Sequence, residues 1–148
     1  MIKKLNLQDQ ELTIETRKVF QASYAIEAEI LKAVDFPPLK RTLMEYSETE
    51  TDFYGYYTQH TLSAVVEIKI DDDSIHIQSL VVDPQFFRLG IAGKLLDYVF
   101  AHFTTDVFTV ETGLDNLPAV RLYKKFGFVE SKQYDTDHGI RKIRFEKF

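Results

Sequence analysis

The sequence contains no cysteine at any of its 148 positions. Disulfide bonds, zinc–thiolate sites and a cysteine nucleophile are therefore excluded, and the absence fits a reducing compartment. The chain also has no apolar run near the length of about 18 residues that a membrane-spanning helix needs. Its first residues, Met1 to Asn6, lack the apolar core of a signal peptide. We therefore expect a cytoplasmic protein that does not contact a membrane.

Positive charge is scarce as well. The chain has 18 Lys and Arg against 23 Asp and Glu, which gives a net charge of −5. A general nucleic-acid binder needs clustered excess Lys and Arg to neutralise phosphates, so no nucleic-acid partner is expected. The negative balance suits a cationic substrate such as an amine, and it also serves to keep a small domain soluble.

No pattern of metal ligands stands out. The aspartates of residues 71–73 are consecutive, but no calcium-loop spacing follows them, so the pattern favours a solvated turn. His60, His102 and His138 show no ligand spacing with other histidines or carboxylates, and we interpret them as structural or solvent-facing. We expect no metal site.

Hydrophobic residues are plentiful, at 45% of the chain, and they include 12 Phe and 8 Tyr. The length fits one domain over residues 1–148. A domain near 150 residues buries roughly 68–70% of its unfolded surface, so it can form a full core without cross-links. That core should be rich in aromatic rings.

Hydrophobic periodicity predicts alternating strands and helices. A first strand is expected over residues 2–7. One long helix, or two joined by a bend, should follow over about 11–34, and the prolines at 37 and 38 would end it. Further strands are expected over 53–57, 62–70, 75–82, 105–112, 128–134 and 140–145, with helices over about 88–102 and 117–126.

Residues 77–96 form a predicted strand, a short loop and an amphipathic helix. Gly90, Ala92 and Gly93 stand at the helix entrance, where small residues let the backbone approach a ligand. The first N–H groups of a helix are unpaired and its dipole is positive there, which suits a pyrophosphate. Arg88 and Lys94 add positive charge. The spacing does not fit a P-loop or a dinucleotide fingerprint, and small residues at a helix start also occur for structural reasons.

This segment resembles the acetyl-CoA loop of the Gcn5-related N-acetyltransferases, the GNAT superfamily. The family pattern is Gln or Arg, two residues, Gly, one residue, then Gly or Ala. Gly90 and Ala92 match it, whereas Phe87 stands where Gln or Arg is expected and the arginine follows at Arg88. Since the family holds the pyrophosphate mainly through backbone N–H groups, the departure weakens a side-chain contact rather than the site.

A second segment, residues 111–128, resembles the other signature of the family. That signature is Asn, Ala three residues later, Leu-Tyr, then Gly-Phe. All of its fixed positions are filled here, by Asn116, Ala119, Leu122, Tyr123, Gly127 and Phe128. Two signatures in the expected order make the resemblance more specific than either one alone.

The resemblance implies a single-domain α/β fold with a mixed, mostly antiparallel sheet flanked by helices. Two central parallel strands would splay apart to admit the cofactor. It also implies direct transfer of an acetyl group from acetyl-CoA to an amine of a small molecule or of a peptide or protein N-terminus. The alternative is a non-catalytic coenzyme A-binding or protein-interaction module on the same fold. A homodimer is left open.

The resemblance also implies the cofactor contacts. These are expected at Leu80, Val81, Val82, Arg88, Leu89, Gly90, Ile91, Ala92, Gly93, Lys94 and Asn116. Asn116 is in addition a candidate N-cap for the helix that follows it. The cations Arg121, Lys124 and Lys125 either help to hold the 3′-phosphate of coenzyme A or only solvate their helix.

Tyr123 matches the tyrosine that the family uses as an acid toward the departing thiolate. Its alternative is a half-buried aromatic residue with a satisfied hydroxyl. For the base that neutralises the amine, three residues are candidates. Glu111 resembles the glutamate of the ribosomal-protein N-terminal acetyltransferases, and His76 resembles the position of the glutamate in histone-acetylating members. Glu67, within an apolar strand, would act through water.

Strand alternation places His76 on one face with Gln78, Leu80 and Val82. The acceptor pocket is expected to be walled by residues 23–60, with the aromatic and acidic side chains of Tyr24, Glu27, Phe36 and residues 54–57. Aromatic rings and carboxylates suit an amine or a peptide N-terminus.

Overall fold

Seven strands form one sheet in the computed structural model, which describes residues 1–148. They are β1 (Ile2–Leu5), β2 (Asp52–Thr58), β3 (Thr61–Ile70), β4 (Ser74–Val82), β5 (Val107–Gly113), β6 (Val129–Asp135) and β7 (Arg141–Lys147). Their order across the sheet is β1-β2-β3-β4-β5-β7-β6. Every neighbouring pair is antiparallel except β4 and β5, which are parallel. The mixed, mostly antiparallel α/β fold expected from the sequence is confirmed.

Four α-helices flank this sheet. They are α1 (Gln10–Leu31), α2 (Leu43–Ser47), α3 (Ile91–His102) and α4 (Leu117–Lys125), with short 3₁₀ turns at Pro37–Lys40 and Pro84–Phe86. None of the helices is long and apolar enough to cross a membrane.

Two of these helices have bounds that differ from the sequence prediction. The first helix ends at Leu31 rather than Val34, because Lys32 adopts a left-handed backbone with φ of 52° and closes the helix before the prolines. The third begins at Ile91 rather than Arg88, because Arg88 and Gly90 both have positive φ, at 65° and 73°. In both cases left-handed backbone sets the boundary.

Separate hydrophobic cores lie on the two faces of the sheet. The larger core packs α3 and α4 against the sheet and contains Leu95, Leu96, Val99, Tyr123 and Phe145. The smaller core packs α1 and α2 against the other face, around Phe20 and Tyr46. Both cores contain aromatic rings, as the sequence predicted.

A β-bulge in β4 changes which side chains share a face. Glu67 of β3 pairs with Ser79 while the next residue of β3 pairs with Ile77, so Gln78 has no partner. Leu80 therefore packs on the α3/α4 core with Ile77, and the Ser79 hydroxyl points to Glu67 on the α1 face. The expectation that His76 shares one face with Leu80 and Val82 is wrong, because the unpaired residue reverses the alternation and both side chains pack on the α3/α4 core.

Glu67 is a fully buried carboxylate, with 1% of its surface exposed. The Arg41 guanidinium donates to both of its oxygens, at 2.8 and 2.9 Å, and Thr51 and Ser79 donate through their hydroxyls at 2.6 and 3.0 Å. Arg41 also lies over the Tyr46 ring, 4.2 Å from its centroid. The carboxylate thus anchors the chain between α1 and β2 onto the sheet.

Replacing Arg41 with methionine should destabilise the protein by about 3–5 kcal/mol, because the Glu67 carboxylate would be left buried without its charge partner. Urea unfolding measures the loss. The matched control is Arg141→Met, which breaks the exposed ion pair with Asp135 and should change stability by no more than about 1 kcal/mol. Adding Glu67→Gln to Arg41→Met should recover part of the loss. A double variant no more stable than Arg41→Met would contradict the assignment of the loss to an unpaired charge.

Candidate functional site

A cleft opens in the middle of the sheet, between β4 and β5. The two strands pair only over Ser74–Ile77 and Val107–Val110, and they diverge beyond that point. The cavity between them has a volume of about 890 Å³. Its walls come from α1, the segment after α1, the diverging ends of β4 and β5, α4, and the turn between β6 and β7. The two central parallel strands are splayed, as the sequence resemblance implied.

The loop after β4 carries a run of free backbone donors. No N–H group from Arg88 to Gly93 has an acceptor within the chain, whereas the flanking N–H groups of Phe87 and Lys94 bond to the carbonyls of Pro84 and Gly90. The space beside the Gly90 α-carbon is open, with no heavy atom within 4 Å of the position that a Cβ would occupy. The loop therefore carries consecutive unpaired donors at the end of β4 where the sheet opens, and the first three of these residues are exposed.

The glycines of this loop have different structural roles. A Cβ on Gly93 would come within 2.6 Å of the Phe126 ring, so this glycine lets α3 and α4 pack closely. Gly90 supplies the left-handed backbone at the helix start. The Lys94 ammonium lies 3.4 Å from the Tyr56 hydroxyl. None of residues 88–94 lines the cavity itself.

The other expected cofactor contacts lie on β4 and α4. Leu80 lines the cavity, whereas the Val81 side chain is buried in the α1 core with 1% exposure. Asn116 accepts from the Ala119 N–H at 3.4 Å, as an N-cap does, and donates from Nδ2 to Glu27 Oε1 at 3.2 Å. Its side chain therefore joins the start of α4 to α1.

Tyr123 lies in the cavity wall, with its ring packed edge-on to Phe128 at a centroid distance of 5.6 Å. Its hydroxyl has no hydrogen-bond partner within the chain, yet the oxygen is not sealed off from the cavity, unlike the Tyr46 hydroxyl. Burial, and secondarily the charge of Glu27, raise the pKa of Tyr123. The phenol therefore stays protonated at neutral pH and has a proton available to give.

The three residues predicted as bases lie in three different settings. Glu111 lines the cavity, where Tyr134 donates to its Oε2 at 2.9 Å and Arg144 lies 3.7 Å from its Oε1. His76 does not line the cavity, and its Nδ1 is 2.7 Å from the Thr109 hydroxyl. Burial lowers the pKa of His76, which favours its neutral form.

Glu67, the third of them, is also outside the cavity lining and has both oxygens engaged by the network around Arg41. The structure thus brings Glu111 and Tyr123 together in the cavity and leaves His76 and Glu67 outside it.

The expected acceptor wall is found in part. Tyr24, Glu27 and Phe36 line the cavity, but residues 54–57 do not, because β2 lies on the far side of β3 from the cleft. His138 also lines the cavity and is exposed, as expected for a solvent-facing residue. Its position depends on the β6–β7 turn folding over β5, which no local pattern indicates. The cations Arg121, Lys124 and Lys125 are exposed and do not reach the cavity.

Glu27 is a partly buried carboxylate in the cavity lining. Burial raises the pKa of its carboxyl above the ordinary range of a glutamate, while the Asn116 hydrogen bond and the Lys142 charge oppose that shift. From the sequence, Glu27 was predicted only as one of several residues lining the acceptor pocket. The contact that singles it out joins residues far apart in the chain, so local sequence could not show it.

Known proteins resemble this chain in sequence and in fold. The UPF0157 protein YqkA of Bacillus subtilis (strain 168) is 31% identical over 137 residues, which cover 90% of this chain and 40% of YqkA. The chain therefore spans about two-fifths of the length of that relative.

Two solved structures share the fold over nearly the whole chain. The ribosomal-protein-S18-alanine N-acetyltransferase of Escherichia coli matches with a TM-score of 0.77 and 18% identity, covering 99% of this chain and 92% of its own. The PaiA N-acetyltransferase of Thermoplasma acidophilum, solved with coenzyme A, matches with a TM-score of 0.78 and 18% identity, covering 99% and 97%.

The model of the acetyltransferase (GNAT) family matches residues 17–128, which are most of the chain and include most of α1, the cleft strands, the donor loop and α4. Together with the splayed parallel pair, this match shows that the chain belongs to the GNAT acetyltransferase family.

Proposed function

We propose that this protein moves an acetyl group from acetyl-CoA directly to an amine of a small molecule or of a peptide or protein N-terminus. The observation that carries the proposal is the connection of two features by β4. The loop at the end of the strand has unpaired N–H groups from Arg88 to Gly93, and the cleft beside the strand contains the unpartnered hydroxyl of Tyr123. The loop suits the binding of a pyrophosphate, and the hydroxyl in the cleft suits acid catalysis.

The residues present fit coenzyme A. The N–H groups of residues 88–93 would hold the pyrophosphate, and the open surroundings of Gly90 leave room for it. The edge of β4 over residues 80–82 faces away from β3 and has lost its β5 partner, so its backbone is available to the amides of the pantetheine arm. Asn116, at the cleft end of α4, is placed to contact the same arm.

Acetyl-CoA would supply an activated acyl group as a thioester. Tyr123 would donate its hydroxyl proton to the sulfur as the carbon–sulfur bond breaks, since its raised pKa keeps the phenol protonated until then.

The acceptor class follows from the cavity lining and from the relatives. Carboxylates of Glu27 and Glu111 and the ring of Tyr24 line the wall, and such groups attract a cationic amine. The Escherichia coli protein of similar fold carries the alanine of ribosomal protein S18 in its name, which is consistent with an amine acceptor.

A non-catalytic coenzyme A-binding module is the second candidate. It requires the donor loop but has no use for a buried hydroxyl and carboxylates in the cleft. The enclosure of Tyr123 and Glu27 therefore favours catalysis. Turnover of acetyl-CoA in the presence of a panel of polyamines, aminoglycosides, amino acids and peptides separates the two candidates.

Saturating coenzyme A should raise the melting temperature, with a stabilisation of about 2.7 kcal/mol at a hundredfold excess over the dissociation constant. Gly90→Glu should abolish the shift, because it places a carboxylate among the free N–H groups. The control is Gly139→Glu, since Gly139 also has positive φ and open surroundings but lies in the β6–β7 turn. No shift in the parent protein would overturn the proposed cofactor.

Tyr123→Phe should lower kcat by about 10²–10⁴-fold, the range of a lost general acid, while the coenzyme A dissociation constant changes little. Its stability should stay near that of the parent, because the hydroxyl has no partner to lose. Tyr98→Phe, on α3 and outside the cavity, is the control and should retain full turnover. Turnover of Tyr123→Phe within about threefold of the parent, short of the general-acid range, would remove Tyr123 from the mechanism.

Initial-rate kinetics should show a ternary complex, because a chain without cysteine cannot form an acetyl-cysteine intermediate. Double-reciprocal plots against acetyl-CoA at several acceptor concentrations should therefore intersect. Parallel lines, together with a covalently acetylated protein detected by mass spectrometry in the absence of acceptor, would show a two-step transfer instead.

A further inference from the structure

The carboxylates near the cleft differ in how fully their oxygens are engaged. Glu67 has partners on both oxygens, and Glu111 receives Tyr134 on one oxygen with Arg144 beside the other. Glu27 receives a single hydrogen bond, from Asn116 to Oε1, and its Oε2 has no partner within the chain. A partly buried carboxylate with a free oxygen in a cavity is ready to receive a cationic donor.

We infer that Glu27 of α1 binds the ammonium group of the acceptor in the cleft and takes its proton before acetyl transfer. This inference rests on the acetyl transfer proposed above and assigns the base to α1 rather than to Glu111 of β5. The free Oε2 accepts from the ammonium, and Asn116 holds the carboxylate in place through Oε1.

The position of Glu27 relative to Tyr123 supports the assignment. Its charge acts on the Tyr123 hydroxyl and raises the pKa of that group, so the two lie within electrostatic reach of each other. Asn116 fixes the spacing, because one side chain caps α4, which carries Tyr123, and also donates to Glu27. An amine beside Glu27 therefore lies in the same compartment as the proposed acid.

The protons balance without any further reactant. The ammonium gives one proton to Glu27, which releases it to solvent, and the neutral nitrogen forms the new bond to the acetyl carbon. As the carbon–sulfur bond breaks, Tyr123 gives its proton to sulfur and regains the proton that the positively charged nitrogen loses on becoming a neutral amide. The products are the acetylated amine, coenzyme A with its thiol, and one proton.

The surroundings of Glu27 bring the pKa of its carboxyl and the pKa of a bound ammonium group closer together. Burial raises the pKa of Glu27 and disfavours the charged form of an enclosed ammonium in the same way. The charged and titratable groups that act on Glu27 or respond to it are Lys142 from β7, Tyr24 from α1 and Tyr123 from α4. Lys142 opposes the rise, and both tyrosines are neutral at physiological pH.

A titration that needs no acceptor tests the binding step. Carbon-13 NMR of glutamate carboxyls in the coenzyme A-saturated protein follows Glu27, whose resonance is the one absent from Glu27→Gln. Propylammonium is the probe, and 1-propanol is its uncharged counterpart. We expect a raised pKa that falls when propylammonium is added and does not change with 1-propanol. A Glu27 resonance that ignores propylammonium, or that responds equally to both probes, would overturn the inference.

Kinetics on the amine that the parent acetylates fastest tests the proton transfer. Glu27→Gln should lower kcat/KM by about 10²–10⁴-fold. Activity of the variant should keep rising with pH toward the pKa of the free amine, because only the neutral amine can then react. Glu29→Gln is the control, since it removes the same charge from an exposed position of α1. Glu111→Gln should cost much less than Glu27→Gln. The reverse order, with Glu111→Gln the more damaging, would assign the base to Glu111 and overturn the role of Glu27.

Failure of this inference is distinguishable from failure of the proposed function. Glu27→Gln should still be stabilised by coenzyme A, because the donor loop is untouched. If coenzyme A does not stabilise the parent protein, the proposed acetyl transfer itself would be excluded. If coenzyme A stabilises the parent protein but propylammonium leaves the pKa of Glu27 unchanged, only the role of Glu27 would be excluded.

Discussion

The hydrogen-bonded ladder between β4 and β5 ends after Ile77 and Val110, and the cavity exists because it ends there. Each strand continues with its antiparallel neighbour, β4 with β3 as far as Val82 and β5 with β7 as far as Gly113. Antiparallel pairing is slightly more stable per residue than parallel pairing, so the parallel pair is the one that opens. The bulge at Gln78 bends β4 where the separation begins.

The walls of the opening are held by polar contacts rather than by packing alone. On one side the Tyr24 hydroxyl donates to Ser79, Ser79 donates to Glu67, and Glu67 binds Arg41, which links α1, the sheet and the segment after α1. On the other side Asn116 joins α1 to α4. Since unsatisfied buried groups are costly, these networks fix the width of the cleft.

Features of the fold that depend on local chemistry were predictable from the sequence. The α4 helix follows from Asn116 as its cap, a proline in its first turn and Gly127 at its end. The succession of strands along the chain follows from hydrophobic alternation. The donor loop follows from its small residues. These elements depend on residues within a few positions of one another.

Other features depend on contacts between distant residues and could not be predicted in this way. Glu67 meets Arg41 across 26 positions, and Glu27 meets Asn116 across 89. The bulge in β4 reverses strand alternation without any local signal, which is why the predicted face of that strand was wrong. The close approach of Gly93 to the Phe126 ring, which follows α4, also depends on residues far apart in the chain. A side chain at position 93 would have to displace that ring, so packing restricts which residues position 93 can hold. Substitutions at the exposed positions of the segment after α1, such as Val34 and Asp35, meet no such restriction.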